Sequence, residues 1–94
     1  MVISFAGRVK IPSDVLIREL DGESVLLNLD SETYFGLDDV GTRMILCLSN
    51  AASIQAAYDQ LLEEYDVDPE TLRDDLQTLI EELQAHGLVE VISA

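Results

Sequence analysis

The sequence predicts a small α+β fold, and three observations predict it. The first half consists of short β-branched and aromatic segments separated by turn residues. The second half carries apolar residues at helical spacing, each run preceded by a good capping residue. The length, 94 residues with 48% hydrophobic content, suits one small core and is too apolar for a disordered chain. One domain is expected over residues 1–94, with its core over 14–91. The first thirteen residues receive no assignment.

Val15-Leu16-Ile17-Arg18-Glu19-Leu20 reads as the first strand. Asp21-Gly22 follows, a strong hairpin signal because such turns need a positive φ. In the second strand, Glu23 to Leu29, Val25, Leu27 and Leu29 alternate onto one face. Leu26 sits among Ser24 and Asn28 on the other. Asp30-Ser31-Glu32 is a turn, and Thr33-Tyr34-Phe35-Gly36-Leu37 is a third strand. Gly36, inside that strand, marks a bulge or a place where another backbone comes close.

Asp38 or Asp39 caps a first helix running to about Leu48, with Val40, Met44, Ile45, Cys47 and Leu48 as its apolar positions. Ser53 caps a second helix carrying Ile54, Ala57, Tyr58, Leu61, Leu62 and Tyr65. Pro69 suits the first turn of a third, whose stripe is Leu72, Leu76, Leu79, Ile80 and Leu83. His86-Gly87 ends it. Leu88 to Ile92 is either a closing strand or an extended tail. The order is a three-stranded antiparallel sheet followed by three helices, a winged-helix-like arrangement.

Charge narrows the function. Nineteen acidic against five basic residues give a net charge of −14, which disfavours binding to nucleic acid or anionic membranes. Such a surface either serves solubility alone or attracts basic peptides. No run approaches a membrane span and no leader-like segment opens the chain, so a cytoplasmic protein is expected.

The catalytic inventory is nearly empty, and no enzyme is expected. The single cysteine, Cys47, falls on the apolar side of its helix and reads as a core residue. The single histidine, His86, falls at a helix end, where a cation suits the dipole. The acidic doublets Asp38-Asp39, Glu63-Glu64, Asp74-Asp75 and Glu81-Glu82 lack the spacing of a calcium loop, so no metal is expected. No glycine-rich phosphate loop or other cofactor motif is present. Asp30-Ser31 lies in a turn and lacks the leucine of a phosphopantetheine attachment site. A winged-helix DNA reader would have to place Asp74, Asp75, Glu81 and Glu82 of its third helix against phosphates. That helix also has unlike flanks: Thr71, Asp75, Thr78 and Glu82 on one side, Arg73, Gln77 and Gln84 on the other.

Several ordered pieces resemble the PqqD-like family, the small leader-recognition domains of ribosomal peptide biosynthesis. They are Asp21 to Asp30, Tyr34-Phe35-Gly36-Leu37, Val40-Gly41-Thr42-Arg43, Leu61 to Asp68, Asp75-Leu76, and His86-Gly87-Leu88-Val89. The likeness spans about residues 14–91 and is greatest to the discrete leader-binding proteins of lasso peptide clusters. One departure is the lack of an aromatic residue shortly after Arg43, where Met44 and Ile45 stand.

The resemblance implies a non-catalytic adaptor. A precursor leader peptide would add as a strand to Thr33, Tyr34, Phe35, Gly36 and Leu37, in the groove beside the third helix. Leu72, Leu76 and Leu79 would form an apolar wall, Asp75 would pair with a leader cation, and Thr71 and Glu82 would flank it. A separate leader peptidase and a macrolactam cyclase are the implied partners. A chaperone for a radical enzyme or another peptide-modifying enzyme is the alternative.

Overall fold

A computed structural model describes residues 3–93. Its elements are β1 (Arg8–Lys10), β2 (Val15–Leu20), β3 (Glu23–Asn28), β4 (Tyr34–Leu37), α1 (Asp39–Asn50), α2 (Ile54–Glu64), α3 (Pro69–Ala85) and β5 (Glu90–Ile92). The expected antiparallel sheet is present in the order β2-β3-β4, followed by three helices. A second sheet joins β1 to β5, antiparallel, with Val9 opposite Val91.

Local chemistry explains most boundaries. Asp21 and Gly22 both take positive φ, at 55° and 84°, so a two-residue turn of the I′ kind joins β2 to β3. Asp38, Ser53 and Asp68 each accept a hydrogen bond from the backbone N–H three residues on, at 2.8, 3.0 and 3.1 Å. At the end of α3, Leu88 N–H donates to Leu83 C=O and Gly87 N–H to Gln84 C=O. Gly87 has φ 70°, and this pair of bonds is a Schellman motif.

The core side of the sheet is the one that looks polar in the sequence. Ser24, Leu26 and Asn28 are buried, while Val25 and Leu29 of the apolar series are exposed and Leu27 is half-buried. Burial of the two polar side chains is possible because both are paired. The hydroxyls of Ser24 and Thr42 lie 2.7 Å apart, joining β3 to α1. Asn28 bonds to the end of α3 and to its own turn. Leu26 then meets Ile45, Leu48, Leu76, Ile80 and Leu83 in one fully buried cluster. Each such side chain contributes about 1.5–3 kcal/mol by leaving water.

The N-terminal arm is structural. Ile3, Phe5 and Val9 are buried. The carbonyls of Gly7 and Phe5 accept from Ile54 and Gln55 N–H, each at 2.8 Å, so the arm caps α2 where Ser53 does not reach. Phe5 packs edge-on against Tyr58, and the Arg73 guanidinium sits 4.1 Å over its ring. Glycine is required at position 7, since a Cβ there would lie 2.6 Å from the Ile92 carbonyl oxygen. Gly7→Ala should therefore open the β1–β5 pairing. A loss of roughly 1–3 kcal/mol in chemical denaturation is expected.

Arg43 clamps α1 to α2 by a two-pronged pair with Glu64, both bonds at 2.8 Å. The hydrogen bonding from Arg43 holds the Glu64 carboxyl below the usual range. Cys47, near this pair, is pushed up by burial, so its thiol stays protonated at neutral pH. A lowered folded-state pKa means that the pair stabilises above the ordinary carboxylate range and fades as pH falls through Glu64's own titration. The Tm gap between the parent and Glu64→Gln should accordingly be small at neutral pH, because the pair is exposed, and should close in acid.

Candidate functional site

β4 is an edge strand: among the described residues it pairs with β3 alone. The register decides what its free side offers. Asn28 N–H donates to Thr33 C=O, so 28/33, 26/35 and 24/37 are the hydrogen-bonded pairs of the ladder. The N–H and C=O of Tyr34 and Gly36 consequently point outward, toward no strand of the fold. An extended peptide laid beside β4 would bond to these two residues.

The side chains of Phe35 and Leu37 face the helices, and those of Tyr34 and Gly36 face the opposite side. Beside Phe35 and Leu37 runs an open groove of about 480 Å³, bounded by β4, α3 and the start of α1. Asp75, Leu79 and Glu82 supply the α3 wall. Asp38, Val40, Gly41 and Met44 close its α1 end. His86 stands at the C-terminal end of α3, its ring edge-on to Phe35 with centroids 5.4 Å apart. No cation lines the groove and three carboxylates do, so its potential is negative.

The expected site residues divide into four groups. Phe35, Gly36, Leu37, Asp75, Leu79 and Glu82 meet at the groove. Leu72 and Leu76 do not line it: they are 4% and 0% exposed, and they back the groove from inside the core. Thr71 is exposed at the start of α3, where both its N–H and its hydroxyl bond to the capping Asp68. Thr33 and Tyr34 lie at the far end of the edge, with Tyr34 73% exposed on the opposite face. Spacing alone did not single out Asp38, Val40, Gly41 and Met44 as groove residues. In the sequence Val40 and Met44 read only as apolar positions of α1, and the exposure of Val40 emerges with the fold. Among the described residues, no three His, Cys, Asp or Glu side chains are grouped to hold a metal ion.

A family model described as coenzyme PQQ synthesis protein D (PqqD) matches residues 23–89. The chain belongs to the PqqD family. Among solved structures, the chain resembles TbiB1, solved in complex with the TbiA(beta) leader peptide. The two are 37% identical, with 86% of this chain and 94% of that one covered and a TM-score of 0.80. It also resembles a lasso peptide synthetase B1 complexed with the leader peptide, at 22% identity and a TM-score of 0.78, over 88% and 98% of the two chains. At that lower identity the likeness concerns the fold. No curated protein sequence matches. The PqqD match runs from the start of β3 to Val89, so it contains both walls of the groove and leaves out β1 and β2.

Asn28 sets the distance between those walls. Its Nδ2 donates to Gly87 C=O at 2.9 Å, and its Oδ1 accepts from Asp30 and Ser31 N–H at 2.9 and 3.1 Å. Asn28→Ala should remove these three part-buried hydrogen bonds and cost about 1–3 kcal/mol in thermal or chemical denaturation.

Proposed function

We propose that this chain is a non-catalytic adaptor that binds the leader segment of a ribosomally made precursor peptide by strand addition to β4. The carrying observation is the pairing of an unpartnered edge with an acidic, partly apolar groove, in a chain 37% identical to a protein solved with its leader peptide. Backbone bonds to Tyr34 and Gly36 supply affinity that does not depend on sequence. Alternate leader side chains then enter the groove, where Phe35, Leu37 and Leu79 receive apolar groups and Asp75 and Glu82 attract Lys or Arg. Those two carboxylates are two turns apart on α3, about 10 Å, a span covered by about three residues of extended peptide.

The resemblance of the chain's motifs to the discrete leader-binding proteins of lasso peptide clusters favours a lasso precursor, with a separate leader peptidase and macrolactam cyclase acting on the held chain. The adaptor's contribution is concentration: a tethered substrate reaches roughly millimolar local levels near its enzyme. Ribosomal precursors are made in the cytoplasm, and the adaptor works there. A DNA-reading role is disfavoured because Asp74, Asp75, Glu81 and Glu82 crowd the exposed side of α3 while Arg73 is engaged on Phe5.

Fluorescence polarisation of a labelled leader from the adjacent precursor gene tests this reading. Saturable, sequence-dependent binding is expected, and its absence with folded protein would overturn the proposal. Asp75→Lys should leave the Tm unchanged, because Asp75 is exposed, and should weaken a basic leader by about threefold to tenfold. The loss should shrink in high salt. Undiminished affinity in the folded variant would show that the leader's cations lie elsewhere.

A further inference from the structure

The α3 wall of the groove continues beyond Glu82. Asp75, Leu79 and Glu82 follow one another at intervals of four and three residues, and His86 is the next place in that series. The ring of His86 stands edge-on to Phe35, the β4 side chain that lines the groove, with centroids 5.4 Å apart. His86 is also exposed. From Glu82 to His86 the helix rises about 6 Å, close to the roughly 7 Å between alternate side chains of an extended peptide. A strand added to β4 that sets one side chain against Glu82 therefore sets the next but one beside His86.

Two contacts fix the ring. Nδ1 lies 2.7 Å from the backbone oxygen of Glu82. A carbonyl oxygen only accepts, so Nδ1 carries a proton and donates. The neutral ring then holds its lone pair on Nε2, on the side away from the helix backbone. Nε2 makes no hydrogen bond among the described residues. The edge-on contact with Phe35 holds the plane of the ring. The end of α3 does not call for an imidazole. Gly87 and Leu88 N–H already close the helix through Gln84 and Leu83 C=O. A side chain that the helix end does not need, held in one orientation with an acceptor free, is preorganised for a group outside the chain.

The charged side chains that line the groove are the carboxylates of Asp38, Asp75 and Glu82, which attract Lys or Arg. A neutral imidazole acceptor suits a different group, an uncharged O–H or N–H donor. We propose that His86 is a specificity-determining residue of the leader site. Its Nε2 accepts a hydrogen bond from a hydroxyl or carboxamide side chain of the leader, two positions along from the residue that meets Glu82. This rests on the leader-binding reading above and adds a neutral contact to the cationic ones. A leader without the donor covers Nε2 and leaves it unpaired, so discrimination falls on leaders that lack it. The bond is uncharged on both sides. Its contribution therefore persists in high salt, where attraction to Asp75 and Glu82 fades.

The chain has a single histidine, so its two ring nitrogens can be read directly. Long-range 1H–15N NMR of the full chain at neutral pH should show Nδ1 protonated and Nε2 unprotonated. Adding the leader peptide from the adjacent precursor gene should shift Nε2 and leave Nδ1 in place. Polarisation then compares the parent with His86→Phe, which keeps a ring against Phe35 and loses both nitrogens. Each is titrated against leaders in which every hydroxyl or amide side chain is replaced in turn by its apolar counterpart. His86→Phe, checked by circular dichroism, should bind the natural leader about threefold to tenfold more weakly, in low and high salt alike. One leader replacement should cost the parent chain the same factor and cost the variant nothing. That replacement should also abolish the Nε2 shift in the parent, an arm that needs no variant. A proton on Nε2 in the free chain, an Nε2 resonance that the leader leaves unmoved, or equal losses in parent and variant for every leader would overturn the role of His86 and leave leader binding intact. A folded parent that binds no leader would sink the adaptor reading and this contact with it.

Discussion

The groove exists because one buried amide holds two elements that are far apart in sequence. Asn28 ends β3, and its side chain reaches the last carbonyl of the α3 turn with one end and organises the β3–β4 turn with the other. The first contact fixes where α3 finishes against the sheet. The second fixes how β4 leaves β3, and therefore which backbone groups of β4 face outward. The Schellman motif at Gly87 presents the carbonyl that Asn28 needs, and the tight approach leaves a Cβ at position 87 only 3.4 Å from the amide nitrogen. The site's dimensions follow from polar bonds that are satisfied one by one, and apolar packing fills the space they define.

The same logic accounts for the reversed sheet. Apolar patterning favours burying Val25, Leu27 and Leu29, yet Ser24, Leu26 and Asn28 face the helices. Ser24 is matched by Thr42, and Asn28 by Gly87 and its own turn, so no buried side-chain polar atom is left without a partner among the described residues. Flipping the strand by one residue would break both pairings and expose Leu26.

Much of this was legible in the sequence wherever the cause is local. Asp21-Gly22 announces its turn because few dipeptides tolerate two positive φ values. Asp38, Ser53 and Asp68 announce three helix starts because each satisfies an N–H close by. The unlike flanks of α3 were also readable, and the acidic flank does face β4. What could not be read depends on distant partners. Arg8-Val9-Lys10 is too short to declare itself a strand until Glu90-Val91-Ile92 lies beside it. The need for Gly7 arises only from Ile92. Periodicity placed Leu72, Leu76 and Leu79 on one stripe, but it carries no information on which edge of a stripe stays open to solvent. The α1 residues of the groove were hidden for the same reason, since Val40 and Met44 reach it through the angle at which α1 leaves β4.

An unpaired edge strand is a hazard, and the way this chain contains it also bears on the ligand proposed for it. β4 is only four residues long, which limits what can zip onto it. The groove beside it is acidic, in a chain that carries an excess of fourteen negative charges. Two such chains meeting edge to edge would bring like charges together in a partly dry interface, at a cost that grows as water leaves. An extended peptide with a Lys or Arg facing α3 meets the reverse situation, and the repulsion that guards the edge becomes attraction. In the proposed binding mode the backbone groups of Tyr34 and Gly36 would accept any extended chain, so discrimination would come from the sign of the groove's charge and from the apolar room between Phe35 and Leu79. On the proposed binding mode, protection against self-pairing and choice of ligand are a single electrostatic property of one edge.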